Sequence, residues 1–181
     1  MSNNSAEWKT ISGQLGSLST KDLVKLVHEL YESGDSNRRF ITARFLKGEA
    51  SLKKYKQQVH RALYPDFDSG KTDISINVAR KAISDFEKAA CDPQQTLDLM
   101  IYFVEVGTRM MQDFGMDYEA FYDSMESMFK RVFDRLKGKD RELLPTFWAR
   151  LKMLERAARN TGYGYGDNLA DMMEELSEVP H

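Results

Sequence analysis

The stretch from Pro93 to Phe114 constrains the fold more than any other part of this chain. Asp92-Pro93 reads as an N-cap followed by proline at the first helical position, and no breaker follows before Gly115. Two apolar stripes run along the segment. Leu97, Met100, Ile101, Val104, Thr108 and Met111 form one; Leu99, Phe103, Val106, Met110 and Phe114 form the other. A helix apolar over most of its circumference has to be covered by several neighbours. The segment is therefore expected at the centre of a helical bundle. Its one polar ridge is Asp98, Tyr102, Glu105, Arg109 and Gln112.

The flanking sequence supplies further helices. Ser19 is placed to cap a helix reaching about Ser33, with Asp22 in a capping-box-like position and Leu23, Val27 and Leu30 directed inward. Helical segments follow at about 37–46 and 50–63, the latter burying Leu52, Tyr55, Val59 and Ala62 and stopping before Pro65. Residues 66–75 are the clearest loop. Helices are next expected at about 76–90, 117–136 and 144–159, with Pro145 in the first turn of the last of these. After the glycine-rich turn Gly162-Tyr163-Gly164-Tyr165-Gly166, Asp167 or Asn168 is placed to cap a final helix. With only four prolines and no period-2 pattern, the fold class is all-α. It is read as one domain over residues 1–181, a bundle of about eight helices around the buried helix at 93–114. Residues 1–17 and 177–181 are expected to be poorly ordered.

Five blocks of residues resemble a family of bacterial all-helical proteins to which no function has been assigned. They are Lys54-Tyr55-Lys56 leading to Ala62-Leu63-Tyr64-Pro65, Ala79 to Phe86, Asp98 to Glu105, Phe121 to Met128, and Gly162 to Asp171. The likeness covers about residues 20–176. It implies a single helical domain and brings no substrate, cofactor or mechanism.

Composition excludes some classes and leaves others. A net charge of −2 offers no global argument for nucleic acid or membrane binding. The first residues lack the basic and apolar regions of a secretory signal, and no apolar run approaches the roughly 20 residues of a membrane span. A single cysteine, Cys91, agrees with a reducing compartment, so a cytoplasmic protein is expected. The charge is unevenly spread. Residues 1–90 carry 15 Lys+Arg and 11 Asp+Glu, and residues 91–181 carry 11 and 17. Between Arg38 and Arg61 lie Arg38, Arg39, Arg44, Lys47, Lys53, Lys54, Lys56 and Arg61 against Glu49 alone.

Catalytic signatures are missing. His28, His60 and His181 are in no metal-ligand spacing, and the glycine-rich turn lacks the strand and spacing of a phosphate cradle. The turn reads as a helix stop followed by a tight turn, its tyrosines plugging the gap between helices. Glu105 and Glu126 stand four residues before Arg109 and Lys130, the spacing of ion pairs along a helix surface. The expectation is a non-enzymatic module that binds another protein or a second copy of itself, without cofactor or metal. One alternative is a nucleic-acid or anion-binding module using Arg38, Arg39, Lys53, Lys56, His60 and Arg61. Another is an enzyme or metal protein built on helix carboxylates. Its ligand-binding candidates are Asp98, Tyr102, Glu105, Arg109, Tyr122, Glu126, Tyr163, Tyr165 and Asp167.

Overall fold

Local capping sets where the helices begin. Ser19 Oγ accepts from Asp22 N at 3.2 Å, Ser75 Oγ from Val78 N at 3.4 Å, and Asp92 Oδ1 from Gln95 N at 2.9 Å. Each contact satisfies one of the amide groups that a helix start leaves without a partner. The computed structural model describes residues 3–46, 48–66, 69–70 and 72–179, the side chains of Asn3 and Asn4 excepted. The readings made for Lys47, for His181 and for part of the 66–75 loop lie outside the described residues.

Among the described residues there are nine α-helices and no strand. They are α1 (Asn3–Gly16), α2 (Thr20–Glu32), α3 (Asp35–Phe45), α4 (Glu49–Leu63), α5 (Ile76–Ala90), α6 (Pro93–Phe114), α7 (Glu119–Lys137), α8 (Leu144–Ala158) and α9 (Tyr165–Ser177). A short 3-10 turn at Arg141–Leu143 leads into α8, whose first turn holds Pro145. Helix α6 is central, with α4, α5, α7 and α8 packed around it. Helix α9 lies across α7 and α8, while α3 packs on α5 and α4. Gly107 lets α7 approach closely, because a Cβ there would sit 2.0 Å from Met125 Sδ.

The structure corrects three details of the sequence reading. Phe114 belongs to the exposed end of α6, not to its buried stripe. The final helix starts at Tyr165, behind Gly164 at φ +70°, so Asp167 and Asn168 lie inside its first turn and cap nothing. Leu23, Val27 and Leu30 are not directed into a core: α2 contains no buried residue. Among the described residues its main packing partner is α3, and its apolar stripe stays unburied.

Candidate functional site

The polar ridge of α6 is filled by side chains from the two helices that flank it. Lys56 Nζ of α4 lies 2.8 Å from Asp98 Oδ1 and 5.4 Å from the centre of the Tyr102 ring. Arg150 of α8 takes both oxygens of Glu105, Nε to Oε1 at 2.6 Å and Nη2 to Oε2 at 2.7 Å, and also pairs with Asp98. Burial works against the charge on the Arg150 guanidinium, yet its bonds to Glu105 and Asp98 hold its pKa above the usual value. Farther along, Arg109 Nε pairs with Asp113 at 3.2 Å and Gln112 Nε2 donates to Ala157 O at 2.7 Å. The ridge ties α4, α6 and α8 together. The spacing-based pairs are corrected accordingly: Glu105 pairs with Arg150 and not Arg109, and Lys130 pairs with Asp134 and not Glu126. In each case a better-placed partner lay on another helix or one turn farther on.

The tyrosine-bearing turn belongs to a different side of α6. Tyr165 is fully buried, and its hydroxyl lies 2.8 Å from Thr108 Oγ1. Thr108 sends its own proton to Val104 O at 2.8 Å, which leaves its oxygen to accept from Tyr165. Burial pushes the Tyr165 phenol well above its ordinary pKa and keeps it neutral. The Tyr122 and Tyr163 rings meet at 4.9 Å, tilted by 49°, with Tyr163 Oη donating to Asp117 Oδ1 at 2.6 Å. Glu126 Oε2 accepts from Asn168 Nδ2 at 2.7 Å. The enzyme candidates thus fall into two groups. Asp98, Tyr102, Glu105 and Arg109 face α4 or solvent and α8; Tyr122, Glu126, Tyr163 and Tyr165 join α7 to α9, with Asp167 exposed beside them. Among the described residues no group of three His, Cys, Asp or Glu side chains is placed to hold a metal ion.

The basic segment divides in a similar way. Arg38 and Arg39 of α3 and Arg61 of α4 line one cavity of about 630 Å³, together with Lys54, Asp35, Asp73 and Val78. Helix geometry explains the grouping. Lys54, Gln57, Gln58 and Arg61 are spaced by three, one and three residues on one face of α4, and Asp35, Arg38 and Arg39 repeat the pattern on α3. Ser75 N donates to Ala62 O at 2.8 Å, drawing the chain before α5 back over the end of α4. Lys53 and Lys56 line a separate cavity beside Asp98, and His60 packs on the Tyr64 ring at 5.1 Å. Lys54 was missed as a site residue, as were Asp35 and Asp73. The matching helical spacings on α3 and α4 were the signal that could have found Lys54 and Asp35.

A family model matches residues 8–174, nearly the whole chain. The chain belongs to DUF6155, a family of unknown function. The DUF6155 match runs from Trp8 in α1 to Glu174 in α9, so the ridge, the tyrosine turn and the basic cavity all lie within it. No curated protein and no solved structure matches this DUF6155 chain. Among the described residues no helix is long and apolar enough to cross a membrane.

Proposed function

We propose that this protein is a non-enzymatic interaction module whose docking element is the N-terminal arm, α1 and α2. One observation carries the reading. Leu23, Leu26, Val27 and Leu30 align on one face of α2, yet no residue of that helix is buried within the chain. Val27 is 41% and Leu30 47% exposed, and Trp8 on α1 is 60% exposed. Trp8, Ile11 and Leu15 repeat at spacings of three and four along α1, and the exposed Leu18 follows in the turn before α2. Short helices are marginal in water unless such a face is covered, and contiguous exposed apolar surface marks an interaction site.

The occupant proposed is a second copy of this chain. Every copy presents the same pair of helices, and two arms together provide the four helices of a small bundle. A two-fold pairing also closes on itself, covering both stripes without propagating into a filament. The occupied state of Glu105 and Glu126, each held by a partner within the fold, adds support to the non-enzymatic side of the reading.

Sedimentation velocity over a range of concentrations tests it. The wild-type chain is expected to form a dimer, and a V27E/L30E variant a monomer with an unchanged helical circular dichroism spectrum. A wild-type chain that stays monomeric at every concentration overturns the choice of a second copy.

A further inference from the structure

We infer that the cavity between α3, α4 and α5 binds a phosphorylated polyol, a sugar phosphate or the ribose phosphate of a nucleotide. This goes beyond the docking function of the arm and rests on different residues. The cavity, about 630 Å³, falls within the roughly 300–1,000 Å³ of small-molecule sites. Among the described residues that line it, four are cationic, Arg38, Arg39, Lys54 and Arg61, and two are carboxylates, Asp35 and Asp73. Neither Arg39 nor Lys54 forms an ion pair with a carboxylate among the described residues. Arg38 does: Nη2 lies 3.3 Å from Glu32 and Nη1 3.6 Å from Asp35. Its Nε is buried with no hydrogen-bond partner among the described residues. A buried donor of this kind is costly to leave unmet. Arginine forks and a lysine point charge are the usual means of holding phosphate.

The carboxylates select the rest of the ligand. Asp35 and Asp73 repel a second phosphate and accept hydrogen bonds from hydroxyls, which suits a polyol carrying one phosphate. They also oppose a continuous nucleic-acid backbone. The basic surface does not extend into a track either, since Lys56 is turned away to Asp98 at 2.8 Å. Ala62 and Val78 give the wall a small apolar area where a sugar or base edge can rest.

Calorimetric titration of the full chain at low ionic strength tests the inference, with ribose 5-phosphate as probe and ribose and inorganic phosphate as comparisons. Saturable binding of ribose 5-phosphate is expected, about tenfold or more tighter than either comparison, since each lacks one set of charge-assisted bonds. The exposed Lys54→Gln and the half-buried Arg39→Gln are each expected to weaken binding about tenfold with an unchanged melting temperature. Adenosine monophosphate binding more tightly than ribose 5-phosphate assigns a nucleotide, and equal binding assigns a sugar phosphate. No saturable binding, binding that both substitutions leave intact, phosphate binding as tight as ribose 5-phosphate, or preference for a single-stranded oligonucleotide overturns the inference.

Discussion

Arg150 grips Glu105 with two parallel hydrogen bonds, 2.6 and 2.7 Å long, across the interface between α8 and α6. The residues are 45 positions apart in the chain. The fork geometry is specific to arginine, and the same guanidinium reaches Asp98 one face-repeat earlier on α6. The ridge side chains thereby clamp α6 to α4 and α8.

Removing that clamp should destabilise the fold. Arg150→Met leaves Glu105 half-buried without its partner and Asp98 with Lys56 alone, and is expected to cost about 1–3 kcal/mol. Arg150→Lys should recover only part of this, because an ammonium cannot engage both Glu105 oxygens in parallel. Urea denaturation of the two variants gives the comparison. Equal midpoints for Lys and wild type would show that charge alone matters.

Gly166 marks a close approach of α9 to the end of α8. A Cβ added there would lie 2.6 Å from Ala158 O and 2.9 Å from Arg159 Cα, both backbone atoms that cannot swing aside. Gly166→Ala is expected to lower stability by about 1–3 kcal/mol. At Gly107 the atoms nearest an added Cβ are Sδ, Cγ and Cε of the flexible Met125 side chain and not backbone, so Gly107→Ala should be the milder change. Thermal melts of the pair test the order, and the reverse order would contradict it.

Tyr165→Phe removes the buried hydroxyl that donates to Thr108. Thr108 keeps its bond to Val104 O, so little is left unsatisfied. The expected loss is about 1 kcal/mol. A loss of several times that size would mean the hydroxyl meets a further need.

His60 should make stability depend on pH. Burial, and then the positive charge of Arg109, lower its pKa in the folded chain. The ring facing it is Tyr64. As pH falls through the ordinary histidine value of about 6.5, the unfolded chain takes up its proton first, so stability drops toward the lower folded pKa. Above about 6.5 the effect is absent. Urea midpoints measured across about pH 8 to 5 should decline less steeply for His60→Gln than for wild type. Parallel declines would remove His60 from the account.

Much of the architecture was legible because its causes are local. Asp92 and Pro93 announce the start of α6 within a single turn, and Ser19 and Ser75 do the same for α2 and α5. The stripes of α6 predicted burial on several sides, and Leu97, Phe103 and Val104 are fully buried. The apolar stripe of α2 was equally plain, but periodicity states which face is apolar and not whether a neighbour exists to cover it. The same limit hid the partner of Glu105. Spacing along one helix favoured Arg109, while Arg150 arrives from another helix with both donors aligned.

By itself, then, the sequence determined an all-α chain organised around 93–114, since capping and periodicity act over about four residues. Only the tertiary structure decided that Lys54 joins Arg38, Arg39 and Arg61 in one cavity while Lys53 and Lys56 face another. Only it decided that the polar ridge ties α4, α6 and α8 together and that the apolar stripe of α2 stays unburied. Those outcomes depend on how α3, α4, α5 and α8 are rotated and packed against their neighbours. That rotation is set by the whole core, not by any one helix.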